Sequence, residues 1–403
     1  MERTTHSSDQ YPTAQGAASR LMSIDTARGL VMVLMTLDHV RDYFGAAVNP
    51  TDPRTTTVAL FFTRWVTHFC APTFFLLTGV GAYLSASHRS RADLSTHLMK
   101  RGLWLIVLET VIMRCLAFQF NFDFRVTLLF VLWALGWSMI TLGALVRWAP
   151  SVALIFGAGM IALHNLLDLV NPKVFGAFAP LWSVLHQPNF VIAGPRTFVF
   201  AAYPLIPWVG VTALGYGIAE IFQWEPARRR ALLLRAGMSM SAAFVALRAL
   251  NVYGDPSRWS TQKTAVFTVL SFLNTTKYPP SLLFLLMTLG PLFLFLWAID
   301  GGTPSWLRRV NVLGRVPLFY YSLHIFVIHL LALIVCFLRY GEVHWMFESP
   351  KLENYPFTQP PGWPLSLPYI YMLWGVVVVL LWPACRWYAD LKRRRRTWWF
   401  SYM

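Results

Sequence analysis

The sequence predicts an all-α protein, a polytopic bundle of about ten membrane-spanning helices, or eleven if the 171–195 connection hides a re-entrant piece. Three observations carry this prediction. Of 403 residues, 56% are hydrophobic and only 13% are charged, where soluble domains average roughly a quarter charged. Apolar runs long enough to cross a bilayer recur along the chain. The basic residues behind the net charge of +16 collect in alternate connections instead of forming one patch.

Taken in order, the runs fall at 24–44, 58–86, 102–120, 126–147, 151–170, 196–222, 232–251, 279–299, 316–339 and 366–388. Each has the roughly 20 apolar residues that a helix needs to span a bilayer core. The second run carries Pro72, whose missing N–H loosens one helical turn, so a kink is expected there. The eighth is expected to start at Lys277-Tyr278-Pro279-Pro280, with the prolines in its first turn. The polar N-terminal segment 1–20 lacks the basic, apolar and small-residue succession of a cleaved signal. A single domain is expected over 21–390, with a basic tail at 391–403.

Excess Lys and Arg mark the cytoplasmic loops of membrane proteins. Arg89, Arg91, Lys100 and Arg101 form one such group, Arg228, Arg229, Arg230 and Arg235 another. Arg308, Arg309 and Arg315 form a third, and Lys392 to Arg396 the last. Both termini are then cytoplasmic. The outer loops 171–195, 252–278 and 340–365 are longer and include Glu342, Glu348 and Glu353. Net charge explained by orientation needs no nucleic-acid partner, and no aromatic platform for bases accompanies the basic run. Cys70, Cys115, Cys336 and Cys385 all lie in apolar runs, without the spacing of a disulfide framework or zinc site, and read as packing residues. Walker, GxSxG and HExxH signatures are absent from the sequence.

The first run is the most informative. It opens on Ser23-Ile24-Asp25-Thr26-Ala27-Arg28-Gly29-Leu30 and closes near Asp38-His39. Arg28 and His39 are three helical turns apart, so they share a face and lie roughly 16 Å apart along the axis. Charged groups within membrane helices usually face a polar cavity. This stripe therefore predicts a polar path through most of the bilayer. Arg28 could equally pair with Asp25 at i,i+3. His39 could be a buried histidine bonded to Asp38, Arg41 or a carbonyl. His68 shares a helical face with Arg64. His324 and His329 point about 140° apart on the ninth helix, which disfavours a joint metal site, and no metal is expected.

Four stretches resemble a known family. They are Ser23–His39, His68-Phe69-Cys70-Ala71-Pro72, Asn274–Pro291 and Leu313–His324 with its Leu-Gly-Arg-Val-Pro core. In residue type, order and spacing they are similar to membrane-embedded acyltransferases, in particular bacterial relatives of heparan-α-glucosaminide N-acetyltransferase. That resemblance implies an acyltransferase that takes an acyl group, expected to be acetyl, from cytoplasmic acetyl-CoA. The acceptor would be a hydroxyl or amine of a glycan or amino sugar at the outer face of a bacterial inner membrane.

Such chemistry needs a base for the acceptor's proton and cations for the CoA phosphates. A histidine suits the first task near neutral pH. The resemblance makes His39 the expected base, with Asp38 and His68 as the other catalytic candidates. Arg28 and Arg315 are the expected phosphate or pantetheine contacts, with Tyr320 and His324 along the CoA path. Arg64 and Lys277 are expected at the acceptor side. Glu109 and Arg114 read as helix-to-helix ties, and His164, Asn165 and Asp168 as a possible border of the acceptor site. From a different class, a secondary transporter of an organic anion or lipid-linked intermediate would line a permeation path with the same residues. Matched broken halves, the usual sign of that class, are not evident.

Overall fold

The computed structural model describes residues 14–86, 89–194, 197–348 and 357–395. Glu353, Arg396 and residues 1–13 of the polar N-terminal segment lie outside the described residues. The architecture is a helical bundle, and seven helical stretches are long and apolar enough to cross a membrane by length and composition. Each of the apolar runs named above contains a helix. The first, third and fourth runs fall outside that set of seven. This is an integral membrane protein.

Helix α1 runs from Ala14 to Phe44, ten residues earlier than the apolar run begins, and threads the middle of the bundle. It is tied at three levels. At its N-terminal end, Asn311 Nδ2 donates to Thr26 Oγ1 (3.2 Å) and Met22 O. In the middle, Thr36 Oγ1 and the Tyr320 hydroxyl are 2.6 Å apart, and Trp374 Nε1 donates to Val33 O. Near its C-terminal end, Trp363 Nε1 donates to Tyr43 O and Leu365 N to Phe44 O. Two glycines explain the closeness of the lower contact. A Cβ on Gly29 would run into the Val310 carbonyl, and one on Gly314 would run into the Asp25 carbonyl. The Arg28-Gly29 and Gly314-Arg315 motifs are thus two halves of one backbone contact.

Helices α2 (Val58–Thr67) and α3 (Cys70–Ala86) form one broken stretch. The break at His68 and Phe69 lies where Pro72 can supply no N–H to the carbonyl four residues earlier, as expected from the sequence. Helix α4 (Arg91–Val107), capped by the Ser90 hydroxyl on Asp93 N at 3.1 Å, passes directly into a π-helical segment, Leu108–Phe118. Helices α5 (Val131–Leu145) and α6 (Pro150–Leu163) follow.

The all-α expectation misses a small sheet. Strands β1 (Val126–Leu129), β2 (Asn189–Ala193) and β3 (Phe198–Ala201) pair in the order β1-β3-β2, β1 parallel and β2 antiparallel to the central β3. Of these strands only β2 lies, with α7 (Ala179–Leu185), in the long connection that raised the re-entrant reading. Strands β1 and β3 lie inside the predicted helical runs 126–147 and 196–222, because four mostly apolar residues do not separate a strand from a helix by periodicity.

Helices α8 (Leu205–Ile218) and α9 (Pro226–Leu250) come next, then a short α10 (Ala265–Leu273) in the 252–278 connection. Helix α11 (Leu282–Asp300) starts later than expected. The Ser281 hydroxyl caps Phe284 N at 3.0 Å, and Pro279 and Pro280 belong to the preceding loop. Short α12 (Ser305–Arg308) and α13 (Asn311–Arg315) lead to α14 (Pro317–Tyr340), which ends on Gly341 at φ 73°, a left-handed C-cap that glycine adopts without strain. Helix α15 (Leu367–Arg394) takes in the first residues of the basic tail. Cations at a helix C-terminus oppose its negative dipole end, so the helix continues through them. Arg229, expected in a loop, is instead buried in an ion pair with Asp300 at 3.0 Å.

Candidate active site

Three cavities follow one another along α1. The first, of about 380 Å³, lies at the Arg28 end and is lined by Arg28, Arg89, Arg101, Arg315 and Lys392 together with His97 and apolar walls. The second, of about 190 Å³, is a chamber containing His39, Asp38, Asp42, Arg64 and Lys277, walled by Met35, Cys70, Phe74, Phe118 and Phe130. The third, of about 600 Å³, opens at the other end between Arg41, Asp42, Arg64, His68 and the 274–278 loop. Neighbouring cavities share walls. Phe74, Val131 and Tyr321 line the first and second, and Asp42, Arg64, Lys277 and Tyr278 line the second and third. The three-turn separation of Arg28 and His39 thus places them in adjoining cavities.

At the basic end, Asp25 sits between two arginines. Arg28 Nη1 lies 3.4 Å from Asp25 Oδ1 and Arg315 Nε 3.9 Å from Asp25 Oδ2. Arg28 also donates from Nη2 to Leu77 O at 3.0 Å. The i,i+3 pairing with Asp25 and the lining of the basic cavity are both realised, since one guanidinium has donors enough for both.

In the chamber, the carboxylate that faces His39 is not the expected one. Asp38 is held between two guanidiniums: Arg41 Nη2 donates to its Oδ1 at 2.8 Å and Arg64 Nη1 to its Oδ2. Asp42, one turn beyond His39, has Oδ2 4.0 Å from His39 Nδ1, and its Oδ1 accepts from Arg41 at 2.6 Å. Adjacent helical residues diverge by about 100°, whereas i,i+3 neighbours meet. That spacing was the available signal for Asp42, which the sequence reading passed over.

Tyr320 and His324 do not line any of the three cavities among the described residues, contrary to their expected place on the CoA path. Their face of α14 packs on α1: Tyr320 through Thr36, and His324 with its ring centroid 5.2 Å from that of His39. The next residue, Tyr321, turned by about 100°, lines both the first and the second cavity. Its hydroxyl approaches Glu109 Oε1 at 3.3 Å, while Glu109 Oε2 accepts from Trp133 N at 2.7 Å. Glu109 therefore caps α5, which has no cap of its own, and tethers Tyr321 at the junction of the first two cavities. Arg114 instead gathers the 119–126 turn, donating to Val126 O at 3.1 Å and pairing with Asp123 at 3.0 Å.

His68 is buried, borders the third cavity rather than the chamber, and packs 5.3 Å from the Phe284 ring. His164, Asn165 and Asp168 stand apart from all three cavities. Asp168 accepts from His186 at 2.8 Å, and Asn165 Oδ1 accepts from Leu282 N at 2.9 Å. Asp168 and Asn165 thus tie neighbouring segments together, away from the three cavities.

Residues 20–255 match the family profile described as heparan-alpha-glucosaminide N-acetyltransferase, catalytic. The chain belongs to this family. It is accordingly a membrane acetyltransferase. No curated protein matches the chain. The matched stretch runs from α1 to just past α9 and includes Arg28, Asp38, His39, Arg64 and His68. Lys277, Arg315, Tyr320, Tyr321 and His324 lie beyond it, and join the matched residues only through the packing just described.

Proposed function

We propose that the protein transfers an acetyl group from acetyl-CoA, bound at the basic end, to a hydroxyl or amine of a sugar or glycan entering through the opposite cavity. His39 is the general base. In this reading residues 21–390 work as one domain, with the basic end and both termini on the cytoplasmic side of a bacterial inner membrane. The observation that carries it is the row of three wall-sharing cavities, with His39 in the middle one.

The residues at the basic end suit a CoA group. Arg28, Arg89, Arg101, Arg315 and Lys392 supply charge-assisted donors for phosphates, and the apolar walls toward Tyr321 suit a pantetheine arm. The thioester would pass between Phe74, Val131 and Tyr321 into the chamber. There the acceptor, arriving past Arg64, His68 and Lys277, gives its proton to His39. The Asp42 carboxylate beside Nδ1 orients the ring and favours the imidazolium that forms. Asp38, engaged by Arg41 and Arg64, holds α1 and α2 together and keeps those cations in place.

Purified protein in detergent, supplied with radiolabelled acetyl-CoA and an amino sugar, tests this reading. Labelled sugar with release of free CoA is the expected result. Absence of both acetyl-CoA binding and turnover would sink it and return the permeation-path reading.

A further inference from the structure

Lys277 stands out in the charge inventory of the chamber and its outer junction. Asp38 bridges Arg41 and Arg64, and Asp42 takes a second contact from Arg41. Two carboxylates thus answer two guanidiniums. Lys277 is left over: it is only 8% exposed, and among the described residues no carboxylate lies within ion-pair distance of its ammonium. Its charged end instead lies 5.2 Å from the Tyr278 ring centroid. A buried charge without a partner is costly to a fold.

The loop that carries this lysine is rigidly held. Asp255 accepts from Thr276 N (2.9 Å), Thr276 Oγ1 (2.9 Å) and Ser281 Oγ (2.7 Å). Arg248, itself buried, donates to Asn274 O at 2.8 Å, and Asn274 Nδ2 donates to Thr51 O at 3.0 Å. A cation on a held loop therefore lines the same small chamber as His39, at its junction with the third cavity. Charge placed in advance, where charge develops during a reaction, stabilises the transition state with no reorganisation at the moment of transfer.

We propose that Lys277 is a catalytic residue, its ammonium taking up the negative charge that develops on the carbonyl oxygen of the thioester. The inference rests on the acetyl-transfer reading above. The acceptor's lone pair forms the new bond to the carbonyl carbon, and the C=O π pair moves onto oxygen opposite Lys277. The acceptor's proton passes to His39. As the carbonyl re-forms, the C–S bond breaks with its electron pair on sulfur, which takes the proton back from His39 and leaves as CoA thiol.

Lys277→Met and Lys277→Arg in the full chain, assayed with acetyl-CoA and either D-glucosamine or glucosamine 6-sulfate, test this. The expected result is a fall in kcat of about a hundredfold for Lys277→Met on both acceptors, the scale of losing one oxyanion contact. KM should change little, and Lys277→Arg should recover a substantial part of the rate. A loss confined to the sulfated acceptor and expressed in KM would overturn the proposal in favour of anion recognition. Equal kcat for wild type and Lys277→Met would overturn it outright. Wild-type protein that turns over neither acceptor would overturn the acetyl-transfer reading and this one with it. If Lys277→Met does not keep a cooperative thermal transition in detergent, Lys277→Gln is read by the same criteria.

Discussion

His39 and His324 pack edge to face, their ring centroids 5.2 Å apart, although they come from the first and fourteenth helices. His324 Nδ1 lies against the Tyr321 and Tyr320 carbonyls. A carbonyl only accepts, so Nδ1 carries the proton and Nε2 of the neutral ring is a lone-pair acceptor. That nitrogen is buried without a partner. His324 therefore packs against His39, and among the described residues it lines none of the three cavities. His324→Phe should leave the Kd for acetyl-CoA within about twofold while lowering transfer by about tenfold, less than the roughly hundredfold or more of losing a positioned base. A rise in Kd with normal kcat would put His324 back on the donor path.

His39→Ala and His39→Asn should both bind acetyl-CoA and lose transfer by about a hundredfold or more, the scale for a positioned base. Wild-type activity should fall as pH drops, because a protonated imidazole cannot accept the acceptor's proton. Isothermal titration beside a free-CoA assay separates binding from chemistry. Normal turnover by the His39 variants with inactive His68→Ala would move the base to the second helical stretch.

The two aspartates flanking His39 should fail differently. Asp42→Asn should fold normally and transfer more slowly, because Asp42 is the carboxylate beside His39 Nδ1. Asp38→Asn removes the carboxylate that Arg64 pairs with and one of the two that Arg41 has, and leaving a buried cation unpaired costs about 3–5 kcal/mol. Thermal melts in detergent should show the larger drop for Asp38→Asn. The reverse order would make Asp38 the partner of His39.

Arg28→Ala and Arg315→Ala should weaken acetyl-CoA binding with little effect on kcat at saturation. The Arg315 side chain is 58% exposed against 21% for Arg28. Its contribution should therefore be the more sensitive to added salt. Unchanged donor affinity in both variants would reduce them to partners of Asp25.

Orientation is open to cysteine labelling because the four native cysteines are all buried. Arg228→Cys and Arg394→Cys should react only from the cytoplasmic side, and Lys173→Cys only from outside. Arg228 is exposed, whereas its neighbour Arg229 is locked to Asp300. Labelling of position 394 from outside would reverse the polarity of the row of cavities.

The sequence alone determined the helical membrane class, the placement of the apolar runs, the break before Pro72, and the Arg28–His39 stripe. These follow from hydropathy and from the 3.6-residue helical repeat, both properties of neighbouring residues. It did not separate β1 from a helical run, because a short apolar stretch carries no decisive period. Nor did it say that Asp42 and not Asp38 faces His39, although the i,i+3 spacing was there to be read. Only the tertiary structure decided that Gly29 and Gly314 bring two distant motifs into backbone contact. It alone put Tyr321, not Tyr320 or His324, at the junction of the cavities, and left Lys277 as the chamber cation with no carboxylate at ion-pair distance among the described residues. Those are relations between helices far apart in the chain. They are set by how ridges and small residues let the helices approach, and by which charges are neutralised once they have done so.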